Sequence, residues 1–178
     1  MLRGIRRLAG LAVLAAMLVV PPSVSAGSSR GIARVSGLDA ALLFQVNSFR
    51  VAHGLVPLRV SPSLRAAANA HSTQMARLGY FSHDSANGGS FSRRIATYYS
   101  AYGYRSWTVG ENLLWASPDV GAVRALKLWL ASPPHRANLL DPRWREIGLA
   151  AVHASRAPGV YGNAPTTIVT ADFGSRSK

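Results

Sequence analysis

The hydrophobic pattern divides the chain into an apolar opening, a helical first half and a strand-rich end. Leu8 to Val20 is an unbroken run of small and apolar residues, preceded by three positive charges within Met1 to Arg7 and followed by Val24-Ser25-Ala26. That order of basic, apolar and small residues is the pattern of a secretory signal peptide, expected to span 1–26. The run is short of the roughly 20 residues that cross a bilayer comfortably, and no second such stretch follows. Arg6-Arg7 is a weak twin-arginine signal beside the general export route. Left uncleaved, the same run would act as an N-terminal anchor. Residues 27–37, rich in Ser, Gly and Arg and lacking apolar periodicity, read as a flexible leader outside the fold.

The domain then begins, over 38–178. Leu38, Leu42, Val46 and Phe49 share one helical face, with Ser36 and Asp39 spaced as a capping box and Gly54 placed for a left-handed exit after His53. Ser61 and Pro62 predict the cap and first turn of a second helix, whose stripe is Leu64, Ala67, His71, Met75 and Leu78, closed by Gly79. His71 on that buried stripe reads as a hydrogen-bonded core residue. From Phe81 to Trp107 the pattern breaks up around one short helical stretch, about 91–99; irregular segments of that length usually line something. Trp107 to Trp115 is an apolar run interrupted by Gly110-Glu111-Asn112. A third clear helix is expected from Ser117-Pro118 with Val120, Val123, Leu126 and Leu130 inward, and a short fourth from Ser132-Pro133 to the Asp141-Pro142 break. Strands over 147–153 and 167–173, joined by a hairpin loop, close the chain. Helices first and strands late predict an α+β fold with a mixed sheet, not a doubly wound dinucleotide fold.

Composition narrows the chemistry. The chain has no cysteine, which excludes disulfide frameworks and thiolate chemistry. Removing 26 of 178 residues leaves 152, one domain with room for a real core. Lys and Arg number 20 against 7 Asp and Glu; losing Arg3, Arg6 and Arg7 leaves 17 basic groups against 7 acidic ones, a net +10. Arginine supplies nearly all of it, as a product of codon usage or as an anion-binding surface. Phosphate-loop, zincin-helix, nucleophile-elbow and RNA-binding signatures are absent.

Three polar groups stand in unusual settings: His83 after Phe81-Ser82, Glu111 inside an apolar run, and His135 within Ser132-Pro133-Pro134-His135-Arg136. Two imidazoles and a carboxylate can hold a divalent ion or act as acid and base. The alternative is that Glu111 pairs with an arginine and the histidines are ordinary surface or core residues. Asn112 and Asn138 read as structural amides, whereas Arg136 fits either a cap or an anion contact. Tyr98, Tyr99, Tyr102 and Tyr104, with Trp107, form either a rim that stacks on sugars, peptide or lipid, or a loop that packs itself down.

The ordered landmarks carry a resemblance. Asn47-x-x-Arg50-x-x-x-Gly54-x-x-Pro57-Leu58, Ala70-His71-x-x-x-Met75-Ala76, Phe81-Ser82-His83, Gly110-Glu111-Asn112 and Trp129-x-x-Ser132-Pro133-x-His135-Arg136-x-Asn138-Leu139-Leu140 come in turn, followed by Gly148 and Phe173-Gly174. Over about 38–174 the chain resembles a bacterial member of the CAP superfamily, the group of cysteine-rich secretory proteins, antigen 5 and pathogenesis-related proteins that share the SCP domain. The resemblance implies a three-layer α-β-α sandwich with a central, largely antiparallel sheet and a cleft lined by two histidines and two acids. His83, Glu111 and His135 match three of these, and the second glutamate position falls on Ser132. Metal binding through His83 and His135, to zinc or another divalent ion, is implied by some relatives. The function expected is a secreted monomer whose cleft binds a lipid, a peptide or an anionic cell-envelope polymer, without specific nucleic-acid recognition. A metal-assisted hydrolase using His83, Glu111 and His135 is the alternative.

Overall fold

A computed structural model of the chain describes residues 31–178. The expected export segment and leader residues 27–30 lie outside these. The elements are β1 (Ile32–Arg34), α1 (Ser36–Ala52), β2 (Arg59–Val60), α2 (Pro62–Leu78), α3 (Phe91–Ala96), β3 (Ser106–Ala116), α4 (Ala122–Ala131), α5 (Pro133–Leu139), β4 (Glu146–Ala154) and β5 (Thr166–Ser177).

Among the described residues one sheet runs β1-β4-β5-β3, with β2 joining β4 in parallel and every other pairing antiparallel. Alternation of side chains across the pleat gives it two buried faces. Leu114, Ile147, Leu149, Ala151, Val169, Ala171 and Phe173 meet the α1, α4 and α5 layer through Leu42, Val46 and Trp129. Leu113, Val152 and Ile168 meet Met75 and Ala76 of α2 on the opposite face. The result is the α-β-α sandwich expected, with Trp129 donating its indole N–H to the Leu113 carbonyl (3.1 Å) across the β3 edge.

Local chemistry explains α2 well. Ser61 accepts from the Leu64 amide (3.4 Å), Pro62 opens the first turn and Gly79 closes the helix at φ 74°. Gly79 is also a packing position: a Cβ built there would lie 2.7 Å from the Pro158 carbonyl, and one on Gly159 would lie 2.0 Å from Gly79 O. The Val160 amide bonds Gly79 O (3.0 Å) and the Tyr161 hydroxyl bonds Tyr80 O (2.7 Å), so the end of α2 sits on the β4–β5 connection.

Four expectations change. The leader ends sooner, because Ile32–Arg34 pairs with Val152–Ala154 as an edge strand. The proposed capping box is not formed: Val35 is the N-cap of α1, and Asp39 pairs with Arg34 (2.5 Å) and accepts from the Ala151 amide (2.6 Å), tying the helix to the sheet edge. The third clear helix begins at Ala122 after Gly121, since the Ser117 hydroxyl bonds Pro165 O (2.7 Å) instead of capping; its inward face is Ala125, Leu126 and Trp129, with Val123 exposed. Leu78, placed on the stripe of α2, is likewise exposed.

Two landmark residues hold the scaffold. Asn47 brackets Leu58, accepting from its N–H (2.8 Å) and donating to its carbonyl (3.0 Å). Arg50, fully buried, donates to the carbonyls of Val56 (3.1 Å), Leu139 (2.8 Å) and Asp141 (3.1 Å), fastening α1 to the end of α5.

Candidate functional site

A single row across the sheet builds the site. Gly148 of β4 registers with Asp172 of β5, and Asp172 with Glu111 of β3, all on the α2 face. The glycine is required there: its Cβ would lie 2.0 Å from the Leu64 carbonyl carbon, so α2 rests directly on β4. That close approach brings His71 of α2 down onto the two acids. The next row is bonded as well, Ser72 donating to Ala150 O (3.2 Å) and lying 2.8 Å from the Thr170 hydroxyl.

Glu111 is the centre of the cluster, its side chain 1 % exposed. One oxygen holds His83 Nδ1 at 2.8 Å, and the other accepts from Arg94 Nη2. Arg94 also donates through Nη1 to the His83 carbonyl (2.8 Å), so α3 and the loop carrying His83 are clamped to β3 by one carboxylate. The His83 ring is half exposed. With Nδ1 directed to Glu111, its Nε2 is left on the open side of the ring. His71 lies fully buried with Nε2 2.9 Å from the Ser82 carbonyl and 4.0 Å from Glu111. Burial pushes its pKa down to about 4 despite Glu111, so the ring is neutral at physiological pH. A carbonyl only accepts, so Nε2 carries the proton and Nδ1 is a lone pair.

Asp172 is completely buried and its carboxyl has no N–H donor. Burial, then the negative Glu111, hold its pKa well above the usual carboxylate range, with Arg94 opposing. Asp172 therefore holds its proton more tightly than an ordinary carboxyl.

Across the β3 edge, α5 is held by amides. Asn138 donates to Glu111 O (3.2 Å) and Asn112 Oδ1 (3.0 Å), Asn112 donates to His135 O (3.1 Å), and the Trp144 indole bonds Asn138. Both asparagines are structural, as their sequence setting suggested. They present His135, whose pKa is lowered by partial burial and then by the neighbouring His83. His83, Glu111 and His135 thus gather at one place, whereas Ser132, the half-buried N-cap of α5, makes no side-chain capping bond.

The sequence reading missed Asp172 and Arg94 and gave His71 no part in the site. Asp172 carried a signal: an acid inside the apolar run Thr170-Ala171-Asp172-Phe173 needs a partner for the same reason as Glu111. Arg94, on a short exposed-looking helix, carried none. The tyrosine cluster divides. Tyr99 is buried and donates to Glu146 (2.5 Å), the Trp107 indole bonds Tyr99 O (2.8 Å), and Arg176 stacks on Tyr99 and Tyr104 at 3.9 and 4.6 Å. Tyr98 and Tyr102 remain exposed.

The two buried titrations have opposite signs. An acid raised above its ordinary 3.8 favours the fold most at low pH and loses that contribution as pH rises from about 4 through its folded pKa. His71, lowered from 6.5 to about 4, opposes folding as pH falls through that window. Asp172→Asn keeps the shape and removes the acid. The variant is expected to melt above the parent at pH 7 to 8, with the advantage shrinking toward pH 4 and the acid lability due to His71 exposed. Melting curves from pH 4 to 8 test this; a difference independent of pH contradicts it.

Comparison with known proteins follows the geometry. The family model described as the cysteine-rich secretory protein family, CAP, matches residues 43–173. The uncharacterized protein YkwD of Bacillus subtilis (strain 168) is 30% identical over 120 residues, 67% of this chain and 44% of the relative. A crystal structure of an extracellular protein containing an SCP domain, from Bacillus anthracis str. Ames, superposes with TM-score 0.60 at 29% identity over 80% of this chain and 41% of that one. An outer surface protein of Borrelia burgdorferi shares the fold, with TM-score 0.64 at 19% identity over 82% of this chain and 98% of its own. The chain spans less than half the length of the two Bacillus relatives.

Proposed function

Because the chain belongs to the CAP family of cysteine-rich secretory proteins, matched over residues 43–173, we propose that it is a secreted monomeric binding domain whose cleft, framed by His83 and His135, takes a ligand at the cell envelope. The extracellular Bacillus anthracis protein that contains an SCP domain, 29% identical to this chain, supports the location. No helix among the described residues is long and apolar enough to cross a membrane.

The observation that carries the binding reading is the engagement of Glu111. Both oxygens are taken, by Arg94 and by His83, and its neighbour Asp172 is a fully buried carboxyl whose pKa burial and Glu111 raise. Both carboxyls of the cluster are buried, whereas the His83 ring is half exposed and His135 is half buried beside it. The +10 of the chain beyond residue 26 favours an anionic envelope polymer as the ligand. His83→Ala combined with His135→Ala is expected to reduce retention on purified bacterial cell wall at least fivefold at low salt. The melting temperature should change by only a few degrees, since neither ring lies in the core. Retention of the parent should fall as salt rises. Undiminished retention by the double variant would sink the reading.

One observation favours a hydrolase as the second reading: a carboxylate-held imidazole with its outer nitrogen free is the arrangement of a general base. Turnover of a peptide, ester or phosphodiester substrate that vanishes in His83→Ala, with the fold intact, would establish it. A divalent ion such as zinc would be held by His83 and His135 and would supply Lewis acidity. Among the described residues no three His, Cys, Asp or Glu side chains are grouped to hold a metal ion, and Glu111 is already engaged. The donors fit an accessory ion bound by two imidazoles, not a resident centre.

A further inference from the structure

We propose that the cavity between α2, the loop over 85–89 and α3 binds a saccharide unit of a glycan, separately from the histidine cleft and coupled to it through Arg94. The cavity holds about 460 Å³ and is lined by His71, Gln74, Asn87, Arg93, Arg94 and Tyr98, among others; His83, Glu111 and His135 are not in its wall. That volume lies within the range of small-molecule sites, roughly 300 to 1,000 Å³, and accommodates one or two sugar rings.

The wall is oriented before any ligand arrives. Gln74 Oε1 accepts from the Tyr80 hydroxyl and the Ala86 amide (3.3 Å), which leaves its NH₂ group without a protein partner. Asn87 Oδ1 accepts from the Gly89 amide (3.1 Å), which leaves its NH₂ group in the same state. Arg94 Nε and His71 Nδ1 lie behind this wall, buried and without partners, while the hydroxyl-bearing Ser85 and Thr97 line the cavity itself. Tyr98 adds a ring 43 % exposed.

Amide donors and hydroxyls beside an aromatic face match a ligand whose groups both give and accept hydrogen bonds and whose C–H faces stack on rings. Sugar hydroxyls do this. An acyl chain would leave the wall's polar groups unpaired, at a cost. A bare phosphate would answer the donors and offer the Tyr98 ring no face to stack on.

Arg94 connects the two sites. The guanidinium that lines this cavity bonds the His83 carbonyl (2.8 Å) and Glu111, whose second oxygen holds the His83 ring. A ligand that moves Arg94 therefore registers at His83.

The test is NMR titration of isotope-labelled protein with two probes, the neutral trisaccharide chitotriose and the acidic trisaccharide trigalacturonate. At least one is expected to bind saturably, shifting the amides of 85–89, the Gln74 and Asn87 side-chain NH₂ signals and, through Arg94, the His83 ring. Tyr98→Ala, with an otherwise parental spectrum, should weaken binding at least tenfold, as should Gln74→Leu. His135→Ala should leave it unchanged, so the result is independent of whether the cleft binds an envelope ligand. The proposal is overturned if neither sugar shifts these signals, if the shifts are confined to His83 and His135, or if both wall variants bind as the parent does.

Discussion

Glu111→Gln is expected to lower the melting temperature by roughly 10 °C, although only one atom of the side chain changes identity. Arg94, 9 % exposed, keeps its charge in both forms, and the glutamine no longer balances it. Leaving a buried charge without its partner costs about 3–5 kcal/mol, and each kcal/mol moves the midpoint of a domain this size by about 2–4 °C. The amide also presents one acceptor oxygen where the carboxylate presents two, so Arg94 and His83 cannot both be served as before. Adding Arg94→Met should recover much of the loss, because the orphaned cation leaves with it. Thermal melts of the parent, both single variants and the double variant form a cycle whose coupling energy reads the pair directly. Additive losses would show that Glu111 and Arg94 do not depend on each other. One practical consequence concerns function: inactivity of Glu111→Gln alone does not separate catalysis from collapse, and the half-exposed His83 makes the better probe.

Gly148→Ala should remove most or all of the stability, about 4 kcal/mol or more. The added carbon would sit 2.0 Å from Leu64 C, 2.1 Å from Arg65 N and 2.5 Å from Leu64 O. All three are backbone atoms, so no rotamer change relieves the contact. α2 would have to lift from β4, drawing His71 away from Glu111 and Ser72 from Thr170. Gly37→Ala is the matched control, since nothing lies within 4 Å of its Cβ position and an alanine suits the first turn of α1. The measurement is the cooperative thermal transition by circular dichroism. A Gly148→Ala protein melting within a few degrees of the parent would mean that α2 does not rest on this strand as described.

These two positions illustrate what the sequence could disclose. Elements whose limits are set by their own residues were legible: Ser61, Pro62 and Gly79 delimit α2 by cap chemistry, and the apolar runs of β3, β4 and β5 reflect burial on both faces of a sheet. β1 was not, because three residues have no periodicity to show and their order comes from pairing with Val152–Ala154. Ser117-Pro118 looked like a helix start, yet its hydroxyl is spent on Pro165, 48 residues away. At the site, Glu111 was conspicuous as a charge in an apolar run. The same logic applies to Asp172, and the second acid beside Glu111 comes from β5, not from the position held by Ser132. Arg94 could be placed only by the fold, since nothing near it in the chain distinguishes it from the other arginines.

The seating of Gly79 against Gly159 has a consequence for anyone who would re-engineer this protein. By its glycines and prolines the β4–β5 connection looks like the natural place to splice in a tag, a reporter or a cleavage sequence. It is in fact a strut: Pro158 and Gly159 touch the last turn of α2 backbone to backbone, and Tyr161 is fastened to Tyr80. A graft there would lever α2 off the sheet and scatter the buried acids from a distance. Insertions belong instead at the exposed turn around Gly103, where a Cβ would meet nothing within 4 Å.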